Sequence, residues 1–422
     1  MPVSEVHVLV LAGGESTRIR TGSPKALLDL CGRPLLEHVL VAAEQVPAAS
    51  RTLVLGGSHR EAIEDWLRGS AHAAWQVAVQ AEPRGTADAV ASAFPQLPAE
   101  GRLLVLCGDT PLLQPDTLNF LVEQPGGALL TAEVDDPHGY GRIVLDEDGG
   151  LARIVEQADC DEEQAAIQLV NAGVYVLDLA RLRAAAASLG TDNAQGEFYL
   201  TDAAVAVLAE TQGVVAQIGD ADEILGVNTL ADLAEAGAVM RTAILERHLA
   251  DGVIFDDPGT AYVEDGVEIG PGARIMPFCV LRRGVRIGAG CQVGPFAHLR
   301  PGTVLQDGAE VGNFVETKNA ELGERAKAKH LSYLGDTVVG ARANIGCGTI
   351  TANYDGKHKH RTEIGARAFV GSGTILVAPV RVGAGAMTAA GAVVLRGRDV
   401  PEGGVVAGVP ARPLEKPSSP DA

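Results

Sequence analysis

The sequence from Val263 to Val311, VEDGVEIGPGARIMPFCVLRRGVRIGAGCQVGPFAHLRPGTVLQDGAEV, carries an aliphatic residue at every sixth position without exception. A small or β-branched residue follows each of them four positions later. On a helix, six steps of about 100° would scatter these side chains around the axis. On extended chain, even spacings keep them on one face. The period therefore predicts short strands joined by tight corners, as in a left-handed parallel β-helix of hexapeptide repeats.

Glycine follows the aliphatic residue at Gly270, Gly288, Gly294 and Gly312. We expect these glycines at corners where the backbone needs a positive φ. The ladder loosens over 319–332 and is interrupted by a polar, basic insertion at 354–362. A regular stack tolerates such an insertion only on its surface, where sites are built. The alternative is a β-helix that serves only as a spacer.

Composition limits the possible functions. The 422 residues are enough for two or three domains. The formal net charge of -20 argues against nonspecific binding to nucleic acid or to anionic membranes. The apolar run at 6–12 is too short for a signal peptide, and no window resembles a membrane span. The six cysteines form no C-x-x-C pair, which predicts reduced thiols and a cytoplasmic protein.

The N-terminal half begins with an apolar, β-rich run at 6–11 that leads into the glycine loop 12–18. A strand that ends in such a loop outlines a phosphate cradle, although a plain strand-to-helix turn has the same pattern. Further strand-like runs, separated by helical stretches, lie at 53–55, 75–79, 103–107, 128–132 and 170–176. This alternation predicts a doubly wound α/β sheet with ligands at the carboxyl ends of its strands.

Asp109 stands at such a strand end, where a helix cap is the alternative role. Glycine turns at 80–86 and 138–142 occupy comparable positions, and each is equally compatible with a scaffold role. A helical stripe then begins at Thr229, with Asp232 completing a capping box. We predict an α/β domain at 1–228, a linker helix at 229–250 and a β-helix domain at 251–422. Alternatively, the helix is the last one of the α/β domain.

Polar patches interrupt the β-helix ladder at 299–302, 316–318, 329–335, Asn344, 353–354 and Lys359. Arg300, Lys318 and Lys359 would supply cations for one phosphate, although surface charge is the simpler interpretation of each alone. His330 is a candidate general base, because an imidazole with an unperturbed pKa of about 6.5 accepts a proton from an amine at neutral pH. A structural histidine is the alternative.

These motifs resemble in order and spacing the sugar-nucleotide pyrophosphorylases. With 193–197, 199–202, 226–228 and the hexapeptide repeats, residues 6 to 410 resemble the bifunctional N-acetylglucosamine-1-phosphate uridyltransferase/glucosamine-1-phosphate N-acetyltransferase family of bacterial cell-wall precursor synthesis. The resemblance implies acetyl transfer from acetyl-CoA to glucosamine-1-phosphate. It then implies Mg²⁺-dependent uridylyl transfer from UTP to N-acetylglucosamine-1-phosphate, with release of pyrophosphate. It also implies a homotrimer with small-molecule substrates and no nucleic-acid or membrane partner.

For uridylyl transfer, the resemblance implies that Arg18 and Lys25 are catalytic and contact the phosphates. Asp109 and Asn228 would hold Mg²⁺, for which oxygen ligands are suited. The nucleotide and the sugar would be bound by Leu11, Ala12, Gly13, Gly14, Lys25, Gln80, Gly85, Thr86, Cys107, Gly108, Asp109, Gly141, Glu156, Asn171 and Asn228. Of these, Gln80, Gly85 and Thr86 would read the uracil. Gly141, Glu156 and Asn171 would hold the sugar.

For acetyl transfer, the resemblance assigns His330 as the general base. Sugar phosphate and acetyl-CoA would be bound by Arg300, Lys318, Tyr333, Asn344, Cys347, Asn353, Tyr354, Lys359, Ser372 and Ala390. Cys347 stands where the family commonly has alanine. The ladder before Arg300 is also shorter than in relatives, which we expect to change the height of the prism and not its chemistry.

Three positions depart from the family pattern. Glu15 replaces a basic residue and Ser16 a small flexible one, so we expect weaker UTP binding or an outward-turned Glu15. Gly408 replaces an arginine that meets coenzyme A, and Arg412 is the nearby substitute.

Two alternative functions for the chain stay open. One is a nucleotidyltransferase and acyltransferase for another sugar or nucleotide, and the other is a regulatory binding protein with one degenerate site.

Overall fold

The computed structural model describes residues 5–14, 19 and 22–414. Glu15, Ser16 and Arg18 lie outside the described residues. The chain divides into two units, Met1–Val239 and Met240–Ala422, and the division falls within one helix. The boundaries at 228 and 250 therefore stay predictions. Within the described part of the chain, none of the helices combines the length and apolar character needed to cross a membrane.

The first unit is built on a nine-stranded sheet. Its strands are β1 (Val6–Leu11), β2 (Ser50–Gly56), β3 (Gln76–Gln80), β4 (Arg102–Cys107), β5 (Ala128–Glu133), β6 (Gly141–Leu145), β7 (Leu151–Val155), β8 (Leu169–Asp178) and β9 (Val214–Ile218). The α-helices of the first unit are α1 (Leu35–Glu44), α2 (Arg60–Gly69), α3 (Thr86–Ala93), α4 (Pro115–Glu123), α5 (Glu162–Ala165), α6 (Leu179–Ser188) and α7 (Leu200–Thr211). The division between the units falls within the next helix, α8 (Leu230–Ala250). A small separate ladder pairs Asp29–Leu30 with Arg33–Pro34.

The strand order is β9-β5-β8-β4-β1-β2-β3, with β6 on β8 and β7 on β6. Strands β3, β2, β1 and β4 are parallel, whereas β8 runs antiparallel to β4, β5 and β6. The predicted α/β sheet is confirmed, and the six predicted strands are all present. Three strands of this sheet were not predicted. β6 and β7 form a partly exposed hairpin next to the glycine turn 138–142, and β9 is a partly exposed outer strand.

Alternate side chains of the central strands enter two apolar cores, one on each face of the sheet. In β1, Val8 and Val10 belong to one core and Leu9 to the other, and all three are fully buried. Burial on both faces explains why the strand is a continuous apolar run in the sequence. At its carboxyl end, the amide of Gly108 donates to the carbonyl of Leu11 at 2.8 Å. The glycine loop and Asp109 therefore lie at one edge of the sheet.

The second unit is a coil with three short strands per turn. Val263 pairs with Leu281, eighteen residues later, and Ile275 pairs with Val293 in the same way. The nine ladder residues from Val263 to Val311, and the nine small residues four positions after them, are all at most 9% exposed. The predicted β-helix of hexapeptide repeats is confirmed.

The strands of this unit are Ile254–Phe255, Tyr262–Val263, Glu268–Ile269, Arg274–Ile275, Val280–Leu281, Arg286–Ile287, Gln292–Val293, His298–Leu299, Val304–Leu305, Glu310–Asn313, Glu316–Leu322, Lys327–His330, Tyr333–Val339, Asn344–Ile345, Ile350–Ala352, Thr362–Ile364, Phe369–Val370, Ile375–Val377, Val380–Val382, Met387–Thr388, Val393–Val394, Val405–Ala407 and Arg412–Pro413. At the loosened stretch two successive coils are each one residue shorter, since Leu305 pairs with Leu322 and Leu322 with Val339, seventeen residues later in both cases. The insertion lengthens another coil, because Val339 pairs with Ile364.

The expectation of positive φ is right for Gly294, at 101°, but wrong for Gly270, Gly288 and Gly312. The corners with positive φ lie two residues later, at Gly272 after Gly270 for example. Glycine follows the ladder residue for a different reason, which is the close approach of the next coil. A Cβ at Gly270 would lie 2.7 Å from the amide nitrogen of Ala289, and one at Gly312 would overlap the carbonyl oxygen of Lys329.

We expect Gly312→Ala to lower the free energy of unfolding of the β-helix by about 3 kcal/mol, because the methyl group would have to push two coils apart. Gly385→Ala is the matched control. It meets no atom within 4 Å and is strained only through its φ of 61°, so it should cost about 1 kcal/mol. Chemical denaturation followed by circular dichroism measures both, and equal losses would contradict the role of coil spacing.

Candidate active sites

The first candidate site lies at the carboxyl ends of β1 and β4. Lys25 Nζ donates to Asp109 Oδ2 at 2.7 Å and to Asn228 Oδ1 at 3.4 Å, although 203 residues separate Lys25 from Asn228. The amide of Val227 donates to the carbonyl of Asp109 at 2.8 Å, which brings the 226–228 segment beside the strand end. Three residues that the sequence predicted for one site are therefore in contact.

Asn228 is fixed by the start of α8. The amide of Asp232 donates to Thr229 Oγ1 at 3.1 Å, while Asp232 Oδ2 accepts from the amide of Thr229 at 2.9 Å. This reciprocal pair is the predicted capping box. Asp232 Oδ2 also accepts from the amide of Asn228 at 2.8 Å, a contact that the sequence did not predict. The helix cap thus fixes the backbone of Asn228 at the start of α8.

The oxygens of Asp109 and Asn228 suit a hard divalent ion. They already flank a cation, the Lys25 ammonium, and carboxylate and amide oxygens are the ligands that Mg²⁺ takes beside phosphates and water. Burial, reinforced by the charge of Asp109, raises the pKa of the Cys107 thiol to about 12, so the thiol beside Asp109 is uncharged. A cleft of about 520 Å³ adjoins the cluster, and its lining includes Leu11, Ala12, Gly14, Lys25, Gly108 and Asp109.

The predicted base-reading residues lie at the end of β3 and the start of α3. Gly85 has a φ of 112°, and a Cβ there would lie 2.5 Å from the carbonyl oxygen of Phe198, so glycine is required. Thr86 Oγ1 accepts from the amide of Leu200 at 3.0 Å. Gln80 is 7% exposed and faces Gly13, where a Cβ would lie 3.5 Å from Gln80 Oε1. Gln80, Gly85 and Thr86 therefore lie at the two ends of one loop, and Gln80 faces the glycine loop.

The three predicted sugar-binding residues also converge. Gly141 pairs with Asn171 across β6 and β8, and a Cβ on Gly141 would lie 3.6 Å from Glu156 Oε2. Asn171 is held at a bulge of β8, where it accepts from the amide of Gly173 and donates to the Tyr175 hydroxyl. Burial raises the pKa of Glu156, although Thr201 opposes the shift by donating a hydrogen bond at 3.1 Å.

In the β-helix, one column of equivalent positions links the residues assigned to acetyl transfer. The column contains Asn313, His330, Cys347, Ser372 and Ala390, in successive coils. His330 Nδ1 lies 3.4 Å from Asn313 Oδ1, and Asn313 was not predicted from the sequence. A regular coil of eighteen residues would align Gly312 with His330, so Asn313 is aligned with it only because this coil is one residue shorter.

In the neighbouring column, exposed apolar side chains give way to glycines just after the coil that contains His330. It contains the exposed residues Phe278, Phe296, Phe314 and Leu331, then the glycines Gly348, Gly373 and Gly391. A Cβ on Gly348 or Gly373 would meet only atoms of the next glycine, and one on Gly391 would meet nothing within 4 Å. On the side of Cys347, Ser372 and Ala390, the corner is therefore an open groove that ends at His330.

Two further groups of predicted residues lie on the neighbouring face of the prism. The Lys359 ammonium, by hydrogen bonding and by charge, lowers the pKa of Lys318, and Arg300 adds to the shift. Clustered cations of this kind attract a dianion. The Tyr333 hydroxyl and Asn353 Nδ2 approach each other over Gly335, where a Cβ would lie 2.5 Å and 2.7 Å from them. Asn344 lies three residues before Cys347, in the same coil.

Two further predicted residues, Tyr354 and Arg412, are exposed, and their roles in binding acetyl-CoA stay predictions. The Tyr354 side chain is 61% exposed, and its hydroxyl donates to the carbonyl of Gly356 within the inserted loop at 2.6 Å. Arg412 is exposed on a terminal strand and pairs there with Ala407, one residue before Gly408. Arg412 as a substitute contact for coenzyme A stays a prediction.

Glu156→Gln should stabilise the protein at neutral pH while weakening sugar binding. The folded-state pKa of Glu156 is raised, so its stabilising contribution is complete at low pH and is lost as the pH rises through that pKa. The amide variant avoids this loss, and its higher melting temperature at pH 7 should vanish below pH 4. The KM for the sugar phosphate should rise about tenfold. The control is Glu133→Gln, an exposed carboxylate on β5, and equal behaviour of both variants would contradict the assignment.

Comparison with known proteins identifies the family. A family model described as the MobA-like NTP transferase domain matches residues 8–195. Relatives named bifunctional protein GlmU from Pelobacter propionicus and Paracoccus denitrificans are each 43% identical to this chain, over 95% and 97% of its length and 95% of their own. A relative of the same name from Thermobifida fusca is 42% identical over 97% of the chain and 93% of its own. The chain belongs to the GlmU family of bifunctional transferases.

Proposed function

We propose that the two sites described above carry out the two steps of UDP-N-acetylglucosamine synthesis. The β-helix site transfers the acetyl group of acetyl-CoA to the amine of glucosamine-1-phosphate. The α/β site then transfers the uridylyl group of UTP to N-acetylglucosamine-1-phosphate. The observation that carries the proposal is that each unit gathers the residues for one reaction, with Lys25, Asp109 and Asn228 in one and His330 in the other.

In uridylyl transfer, a phosphate oxygen of the sugar phosphate attacks the α-phosphorus of UTP. The bond to the bridging oxygen breaks and pyrophosphate leaves, so no protein nucleophile is needed. Mg²⁺ held by Asp109 and Asn228 would supply charge neutralisation. Lys25 donates hydrogen bonds to the phosphates and offsets the charge that develops in the transition state, with Arg18 as its proposed partner. Gly141, Glu156 and Asn171 orient the sugar for in-line attack.

In acetyl transfer, the amine nitrogen attacks the thioester carbonyl while His330 accepts the amine proton. The C–S bond then breaks, and the proton is returned to the departing thiolate. Asn313 Oδ1 can accept from Nδ1–H, which leaves Nε2 of the imidazole as the free base. The cations Arg300, Lys318 and Lys359 bind the sugar phosphate. The groove along Cys347, Ser372 and Ala390 accommodates the pantetheine arm and ends at the base.

The test is a single reaction with glucosamine-1-phosphate, acetyl-CoA, UTP and Mg²⁺, analysed by mass spectrometry. We expect Asp109→Ala to accumulate N-acetylglucosamine-1-phosphate, with uridylyl transfer reduced at least about 100-fold. His330→Ala should stop acetylation by at least about 100-fold but still uridylylate added N-acetylglucosamine-1-phosphate. Each variant is the folding control for the other. Loss of both activities in either variant, or turnover of another nucleotide or sugar in preference, would overturn the proposal.

The chain acts as a homotrimer in the cytoplasm under the same proposal. Phe278, Phe296 and Phe314 support an oligomer, because their rings stack along one corner at centroid distances of 4.9 and 5.3 Å but are about half exposed. A ladder of exposed aromatic rings suits burial against another copy of the chain. All six cysteines are free, as a reducing compartment favours.

Light scattering should give three times the 43.6 kDa chain mass. Phe296→Ser should shift the protein towards monomer, because it places a polar group in the middle of the aromatic ladder. The control is Phe120→Ser, which removes a comparably exposed ring from α4 in the first unit and should leave the mass unchanged. A monomeric parent protein would rule out the trimer.

A further inference from the structure

We propose that Asp88 is a positioning residue that determines which pyrimidine the first site accepts. It does so by holding the Gln80 side-chain amide so that the carbonyl oxygen faces the base. The inference rests on the proposed function, since it concerns the nucleotide of that site. It assigns a role to a residue in the first turn of α3, outside the residues so far assigned to substrate binding.

The Gln80 nitrogen is committed to two partners. Gln80 Nε2 donates to the carbonyl oxygen of Gly85 at 3.1 Å and to Asp88 Oδ2 at 3.0 Å. A backbone carbonyl and an ionised carboxylate can only accept hydrogen bonds. A reversed amide would direct its oxygen at both of them, with two repulsive contacts in place of two hydrogen bonds. The donor and acceptor ends of Gln80 are therefore fixed by chemistry.

The opposite end of the amide is left for a ligand. Gln80 is 7% exposed, and across residues 5–14, 19 and 22–414 its Oε1 has no hydrogen-bond donor. This oxygen points at the glycine loop, since a Cβ on Gly13 would lie 3.5 Å from it. Because no described residue donates to this oxygen, a ligand that brings a hydrogen-bond donor to it is favoured.

Uracil supplies that donor from N3, and N3 of cytosine does not. At the same ring position, N3 of uracil carries a hydrogen whereas N3 of cytosine carries a lone pair. Opposite a fixed carbonyl oxygen, uracil gains a hydrogen bond and cytosine brings two acceptors together. A binding site that holds a polar group in a fixed orientation discriminates most strongly against a ligand that leaves this group without a hydrogen bond.

Because of Arg84, replacing Asp88 by the isosteric asparagine should disrupt the hydrogen bond to Gln80. Arg84 Nη2 donates to Asp88 Oδ1 at 2.7 Å, so the two carboxylate oxygens serve two different donors. In Asp88→Asn, the arginine, which can only donate, would keep the remaining oxygen. The new amide nitrogen would then face Gln80 Nε2, two donors would meet, and the Gln80 amide would lose its fixed orientation.

The experiment measures kcat/KM for UTP and for CTP with N-acetylglucosamine-1-phosphate in the full-length protein, together with the Kd of each nucleotide by calorimetry. We expect Asp88→Asn to reduce the UTP to CTP ratio of kcat/KM about tenfold. The Kd ratio should change in the same direction. The matched control is Asp116→Asn, which removes a carboxylate from the first turn of α4 without any contact to Gln80 and should leave the ratio unchanged.

The outcomes separate this inference from the proposed function. If the parent protein prefers UTP and Asp88→Asn keeps the same UTP to CTP ratio, the role of Asp88 is wrong while the uridyltransferase assignment stands. A loss of activity with both nucleotides in equal proportion would mean that Asp88 is only structural, and also overturns the inference. If the parent protein does not use UTP, the proposed function itself fails.

Discussion

The spacing between successive coils is the constraint on which the second unit depends. Parallel strands lie about 4.8 Å apart, so every coil must repeat the path of the one below it. The constraint explains why Gly270, Gly288 and Gly312 have no side chain, since a Cβ would enter the next coil. It also keeps equivalent positions in columns over many turns. Asn313, His330 and Cys347 are neighbours because the pairing of successive coils places equivalent residues directly above one another.

Because the coils are so regular, small local changes in the sequence are enough to shape the surface of the β-helix. A coil shortened by one residue still stacks in register, and the coil that contains the insertion pairs normally on both sides of it. Along one corner, the change from Leu331 to Gly348 turns a ladder of exposed apolar side chains into a groove. The backbone does not have to bend to form this groove, because glycine in place of a larger residue at successive positions of the column is sufficient.

How much the sequence could predict differs between the two units for a physical reason. A period of six residues identifies the interior of the β-helix, and each ladder position proved buried. In the sheet, a run such as 170–176 identifies a strand but not its direction, so the antiparallel setting of β8 could not be predicted. Contacts such as Asp88 with Gln80 depend on where a loop leads into a helix. Neither residue type nor spacing contains that information, and the resemblance did not assign Asp88 a role.

Both sites solve the same electrostatic problem in an acidic protein. With a net charge of -20, the chain as a whole repels the phosphorylated substrates that the two reactions require. Attraction must therefore be local. In the first unit, Asp109 and Asn228 hold the Lys25 ammonium at the place where, under the proposed function, a divalent ion and the phosphates would bind. In the second, Lys359 lowers the pKa of Lys318 by hydrogen bonding and by charge, and a bound phosphate would offset that charge. A local group of cations in an acidic protein favours selective binding of a phosphate over general attraction to polyanions.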